Sequence, residues 1–408
     1  MRAHSSKLSI IFVFFILGCL DESPAEGVIT LFDAMPSIHT MDGDASLVPP
    51  DAGPSDLGDS VHFDDIEITA GRSEFIRVNI PPNTLSLHID AVGDPSVVYA
   101  ISHLESEDGD VLVSEMPDGV TITNQDRQLS PFPGPFKSPN RSASPNTGVA
   151  TLLAPNNLNV NFYPGPWLIR VSAMGAFGAI NTTTNLRVTY KRARDPQING
   201  RIPLHFFFTG ANGWTAQSAA NDPTFQAAVN RMASFYAAIG IELTSFTFDD
   251  IPSSYRQVDI GPLGPGRPDS SLHAMFSLNT YETGVALFFV DRIGMGQNGG
   301  IVGGISGGTP GPLRPGTVRS GVAVATLLSS SPGELGHVMA HETGHYLGLF
   351  HTQETVGGIV DQLNDTPTGF FSSDNLMFPT VTSAPASLSD EQAWVIYRNP
   401  VVEGGVDD

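Results

Sequence analysis

Three histidines and a glutamate late in the chain have the types and spacing of a metal-activated hydrolytic site. The segment reads His337-Val338-Met339-Ala340-His341-Glu342-Thr343-Gly344-His345-Tyr346-Leu347-Gly348-Leu349-Phe350-His351. Residues four apart share one face of a helix, so His341 and His345 can offer ring nitrogens to a single ion at about 2.0–2.1 Å. Glu342 follows the first of them and stands beside such an ion rather than on it, where it can act as general base toward water. Gly348 tolerates the left-handed backbone that ends a helix and turns the chain, and the turn brings His351 round as a third ligand. Three protein ligands leave a fourth position open, which marks a catalytic zinc site rather than a closed structural one. His337 shares the face of His341, but no glutamate follows it, and the downstream glycine and histidine fit only the frame set by His341. It therefore reads as a packing neighbour of the site. His205 and His273 have no partner at ligand spacing and read as structural.

The run from His341 to Thr352 resembles the zinc helix of the metzincin peptidases, and among them the pappalysin-like members. The resemblance extends over residues 202–399 and is strong over 333–379. It implies a zinc-dependent endopeptidase acting on a protein or peptide substrate. It also implies that Asn375-Leu376-Met377-Phe378-Pro379 forms the Met-turn, with the Met377 thioether packed beneath the imidazoles and not bound to zinc. Read without the resemblance, Met377 is a core methionine. In that family acidic residues between the third histidine and the Met-turn help hold Ca2+, which makes Asp361 and Asp365 candidate calcium ligands. By residue type they serve equally well as turn and cap residues. The pattern departs from the family at Gln353, where an aromatic is common, and at Phe378, where many metzincins place a tyrosine. Disulfides frequent in the family are absent, since the chain has one cysteine.

Elements must hold these residues in place. Residues 202–208, 241–246, 285–290 and 321–325 read as strands. Pro223 through Ala238 carries apolar residues at helical spacing, with Asn221 or Asp222 as its start signal and Gly240 as its stop. This order indicates an α/β unit with a twisted sheet. The glycine-rich stretch 299–308 lacks the Gly-Lys-Ser/Thr of a phosphate loop. In a metzincin it would precede the edge strand of the substrate cleft, where peptide can bind by strand addition. Ser389 and Gln392 are spaced as a capping box opening a final helix.

The first half is different. Residues 75–80, 85–90, 167–172 and 186–190 alternate apolar and polar side chains between Gly, Pro and Asn clusters, the pattern of an antiparallel β-sandwich. Residues 164–171 resemble the late strand of the jelly-roll domains that accompany secreted bacterial peptidases. The Pro/Ser/Asn-rich segment 131–146 reads as a surface excursion.

At the start, Arg2 and Lys7 precede an apolar run of about ten residues that ends at Gly18-Cys19. The run is too short to span a bilayer, which takes about twenty residues, and it resembles a bacterial lipoprotein signal with Cys19 as the lipidated residue. The chain thus divides into a lipoprotein signal peptide (1–19), a flexible acidic Pro/Ser/Gly tether (20–59), a jelly-roll-like β-sandwich (60–193) and a metzincin-like zinc peptidase domain (194–408). Localisation follows as export to the bacterial cell envelope, as an outer-membrane lipoprotein, or secretion. Contact with a membrane is through the N-terminal lipid alone. With 42 acidic against 20 basic residues the formal charge is −22, which argues against nucleic acid as a partner. A surface-anchored binding or adhesion lipoprotein with a catalytically inert zinc domain is the rival reading, and chelator-sensitive cleavage separates the two.

Overall fold

Segments that alternate in the first half pair side by side in the computed structural model of the chain. The structure describes residues 59–115, 136–137, 139–142, 146–192, 198–261, 270–295, 300–354, 360–366, 373–381 and 385–405. The expected signal peptide with Cys19, the tether over 20–58 and most of the 131–146 segment lie outside the described residues. The fold is β-rich, with several sheets and few helices.

The long strands of the first half are β1 (Ser60–Thr69), β2 (Ile76–Ile80), β3 (Thr84–Gly93), β4 (Val98–Ser106), β5 (Val111–Glu115), β6 (Val149–Ala154), β7 (Gly165–Gly175) and β8 (Thr182–Arg192). Every pairing among them is antiparallel; β5-β4-β7 run side by side, and β1-β8-β3-β6 continue the sheet through the short strand Arg72–Ser73. Along β3, Leu87, Ile89 and Ala91 enter one hydrophobic core, together with Leu186, Val188 and Tyr190 of β8 and Trp167, Ile169 and Val171 of β7.

Period-two alternation predicts that the other side of β3 faces water. It does not: Ser86, His88 and Asp90 are each fully buried, as is Thr189 of β8. The second half of the chain covers this face. Ser86 Oγ donates to the Arg398 carbonyl, His88 Nε2 to the Gly311 carbonyl at 3.0 Å, and Thr151 Oγ1 of β6 to the Pro310 carbonyl at 2.6 Å. Asp90 Oδ1 accepts from Leu313 N at 3.2 Å. Lys191 Nζ donates to the carbonyls of Val402 and Gly404. Leu153 of β6 belongs to the core of the second half.

That second half holds β9 (Ile198–Phe208), α1 (Pro223–Ala237), β10 (Ile241–Asp250), β11 (Val285–Val290), β12 (Gly304–Ser306), β13 (Val322–Ala325), α2 (Pro332–Tyr346), α3 (Asp390–Arg398) and β14 (Glu403–Gly405). The sheet order is β10-β9-β11-β13-β12, with β10, β9, β11 and β13 parallel, β12 antiparallel to β13 at the edge and β14 antiparallel to the start of β9. Strand β11 is buried at every residue, as expected of a parallel strand covered on both faces. Phe206, Phe208, Leu287, Phe289, Val322 and Val324 face a core shared with α1 and α2. Phe207, Phe288, Val290 and Ala323 face a second core with Leu272, Met275 and Phe276.

Helix α1 begins where the sequence says it should: Asp222 Oδ1 accepts from Thr224 N and Phe225 N, both at 2.9 Å. Gly240, beyond its end, has φ 79°. Among the described residues no helix is long and apolar enough to cross a membrane.

Candidate metal centre

Helix α2 is defined at both ends by its own residues. Ser331 Oγ caps the start by accepting from Glu334 N, and Glu334 Oε2 accepts in return from Ser330 N and Oγ. At the other end Gly348 takes φ 107°, its N–H reaches the His345 carbonyl, and Leu349 N reaches the Gly344 carbonyl. This pair of bonds is the Schellman closure that glycine permits, and it turns the chain so that His351 comes back over the helix.

His341, His345 and His351 form a cluster whose ligand atoms lie within 4.8 Å of one another. His351 Nε2 stands 3.3 Å from His341 Nε2 and 3.2 Å from His345 Nε2. Each ring is oriented by its other nitrogen. His341 Nδ1 meets the Leu376 carbonyl at 2.7 Å, His345 Nδ1 the Leu349 carbonyl at 2.7 Å, and His351 Nδ1 meets Glu354 Oε2 at 2.9 Å. A carbonyl or carboxylate oxygen only accepts here, so each Nδ1 carries the proton, and in the neutral ring Nε2 presents a lone pair.

Three lone pairs facing one another at this distance repel unless a cation lies between them. Nitrogens in tetrahedral array at about 2.0–2.1 Å from zinc are about 3.3–3.4 Å apart, which matches the observed spacing. Burial, with the neighbouring His345 and His351 adding to it, holds the His341 ring well below the usual imidazole range. Burial and His351 likewise hold His345 down to about 3. Both rings are therefore neutral near pH 7, the state that binds a metal. The residues fit a zinc ion, and the cluster is able to hold one.

Glu342, next to His341, is fully buried on the same helix. Its side chain lies against Gly304 of the edge strand β12: a Cβ placed there would stand 2.5 Å from Glu342 Cγ and 2.9 Å from Oε1. His337 is buried outside the cluster, its ring 5.1 Å from that of Phe235.

Met377 is fully buried, and its sulfur lies against Gly344, where an added Cβ would stand 2.6 Å from it. Its turn is fixed by amides. Met377 N donates to Asn375 Oδ1 at 2.8 Å, and Asn375 exchanges two bonds with Gln392 of α3, at 2.9 and 3.0 Å. Gln392 Oε1 also accepts from Ser389 N, and Ser389 Oγ from Gln392 N, completing the expected capping box. The last helix thus holds the turn whose Leu376 carbonyl orients His341.

Asp361 and Asp365 do not join the histidine cluster. Thr366 Oγ1 donates to Asp361 Oδ1. Asp365 accepts from Ser389 Oγ at 2.7 Å and Glu391 N at 2.9 Å, which makes it part of the start of α3. Burial pushes the Asp361 carboxyl up to about 7.

Sequence reasoning missed two residues of this centre. Glu354 lies three positions beyond His351, and that local spacing is a signal that was available. Burial alone would raise its carboxyl, but the hydrogen bond and charge of His351 and the Arg141 guanidinium outweigh it and hold Glu354 at about 2. Arg141 lies in the segment read as a surface excursion, and here the expectation is corrected. Asn140, Arg141 and Ser142 are buried: Asn140 is bonded to Leu153 and Asn156 of the first half, and Gln362, Glu354 and Phe350 of the second half meet Arg141. No local pattern announces that.

No protein-family model matches this chain, and no curated protein matches it. Among solved structures it is similar to the one described as the crystal structure of metalloproteinase-II from Bacteroides fragilis, with a TM-score of 0.29 and 14% identity, over 52% of this chain and 61% of that one. The chain spans about three fifths of the length of that protein.

Proposed function

We propose that this protein is a zinc-dependent endopeptidase of the metzincin type, most like the pappalysins. His341, His345 and His351 would hold zinc, Glu342 serves as general base, and the Met377 turn supports the site. One observation carries the reading: three imidazoles converge through Nε2 while every Nδ1 is committed to an acceptor. Bound there, zinc would supply Lewis acidity toward an amide carbonyl and toward water, whose pKa it would lower toward about 7. Glu342 takes the proton of the attacking water and passes it to the leaving amine. In this reading an extended peptide would add as a further strand at the β12 edge, which lies against Glu342.

The reading includes the layout expected from the sequence: a jelly-roll-like sandwich over 60–193 and an α/β peptidase domain over 194–408. It also places the protein outside the cytoplasm, anchored through Cys19 or secreted. Asp361 and Asp365 stay in it as calcium candidates, with the capping bonds of Asp365 favouring their role as turn and cap residues.

The test is metal analysis and a peptide-library digest of protein beginning after Cys19, with and without chelator. Wild type should carry one zinc and show chelator-sensitive cleavage. Glu342→Ala should keep the zinc and lose on the order of 10²–10⁴-fold in turnover. Zinc-loaded Glu342→Ala with wild-type turnover refutes the mechanism. Zinc-loaded wild type without any cleavage favours the adhesion lipoprotein instead.

A further inference from the structure

His341 and His345 are carried by a helix and oriented by backbone carbonyls. His351 sits instead in the loop beyond α2, and its Nδ1 partner is a side chain of that same loop, Glu354 Oε2 at 2.9 Å. A loop carboxylate orients an imidazole only if it is itself held. Arg141 Nη2 holds it, bonding Glu354 Oε1 at 2.7 Å.

Arg141 comes from the first half of the chain, between β5 and β6, and it is built in rather than draped over the surface. Its guanidinium lies 4.1 Å above the Phe350 ring, and the residue is 6% exposed. Its backbone N–H is shared between Asn156 Oδ1 at 3.2 Å and Gln362 Oε1 at 2.9 Å. The neighbouring Asn140 bonds the Leu153 carbonyl at 3.0 Å and accepts from Asn156 N at 2.9 Å. Gln362 Oε1 also accepts from Asn157 Nδ2 at 3.1 Å. Both ends of the chain segment that follows His351 are thus fastened to the first sheet and its loops.

We infer that Arg141 is a positioning residue for the metal centre: through Glu354 it fixes the His351 ring, so the β-domain completes the zinc site of the other half. The inference rests on the three-histidine reading above. Outer partners of metal ligands typically contribute 10–100-fold to metal affinity. A peptidase unit cut at residue 194 would therefore contain all three ligands and still bind zinc weakly.

The experiment measures the zinc dissociation constant of the full chain by competition with a chromophoric chelator. Arg141→Met should weaken zinc by about 10-fold or more, Glu354→Gln by a similar factor, and Arg141→Lys by less than Arg141→Met. The double variant Arg141→Met/Glu354→Gln should be no weaker than Glu354→Gln alone, because the arginine acts through the carboxylate. Thr151→Val, which cuts the same interface at Pro310, should leave zinc affinity within about twofold of wild type.

Additive losses in the double variant, or an equal loss in Thr151→Val, overturn the relay and make Arg141 ordinary interface packing. If Arg141→Met does not fold, Arg141→Lys and Glu354→Gln carry the comparison, and unchanged affinity in both overturns it. Wild type that binds no zinc, with His341→Ala indistinguishable from it, overturns the metal reading itself. Tight zinc in wild type and unchanged zinc in Arg141→Met overturns only the relay.

Discussion

Replacing Gly304 by alanine tests whether the general-base role proposed for Glu342 depends on a fixed position. Gly304 does not have a left-handed backbone, so alanine is conformationally acceptable and only the added methyl matters. That methyl would stand 2.5 Å from Glu342 Cγ, 2.8 Å from Val338 Cγ1 and 2.9 Å from Glu342 Oε1. Carbon atoms rest at about 3.5–4.0 Å, so either the Glu342 stem retreats by about 1 Å or strand β12 moves away from α2. Overpacking of this kind costs about 1–3 kcal/mol of stability. A displacement of about 1 Å in a reacting group costs on the order of 10²-fold in rate, or about 2.7 kcal/mol. The three imidazole rings are oriented through their Nδ1 atoms by acceptors other than Glu342, so metal content should not change. The assay is kcat and KM on a cleaved library peptide, alongside zinc content and Tm. The expected outcome is full zinc, a folded protein and kcat down by about 10²-fold, with the Gly304→Ala/Glu342→Ala double variant no slower than Glu342→Ala alone. Folded, zinc-loaded Gly304→Ala with kcat within about threefold of wild type refutes the positioning argument.

Two further outcomes test the surroundings of the centre. Gln392→Ala removes the acceptor of Asn375 Nδ2 and Ser389 N and the donor to Asn375 Oδ1. Leaving buried amides unpaired should cost about 2–3 kcal/mol in denaturant unfolding, and loosening the turn behind His341 should weaken zinc by about 10-fold in chelator competition. Asp361 is a carboxyl whose folded value is raised, to about 7 from 3.8. Its contribution is fully present below the unfolded value and is lost as pH rises toward 7. Asp361→Asn should therefore flatten the fall in stability between about pH 4 and 7, read as Tm against pH, and an unchanged slope would contradict the buried, protonated carboxyl.

How much of this was legible in the sequence depends on how local each cause is. The helix with His341, Glu342 and His345, its end at Gly348, the return of His351, the strand over 285–290, the start of α1 at Asp222 and the capping box at Ser389 all follow from spacing and residue type within a few positions. Strands β4 and β6 were not read, although Val98–Ser106 and Val149–Ala154 pair with long neighbours. Their burial is nearly continuous, so the alternation used to find the other strands is masked.

The alternation itself misled at β3. It assigns Ser86, His88 and Asp90 to one face correctly, but it cannot say that another half of the chain covers that face. The same limit applies to Arg141 in its Pro/Ser/Asn-rich surroundings. The sequence by itself determined which four residues have the types and spacing for the proposed chemistry, and where they stand on or just past the helix, because helical periodicity and a glycine's backbone freedom act over single turns. Leu349 and Glu354 lie within four positions of the rings they orient, but only the tertiary structure decided the other supports. The Leu376 carbonyl, the Asn375–Gln392 amide pair, Gly304 against Glu342 and the Arg141–Glu354 pair each join residues at least twelve positions apart. The first three form only when elements of the second half pack on one another, and the last only when the two halves pack together to bury their apolar faces.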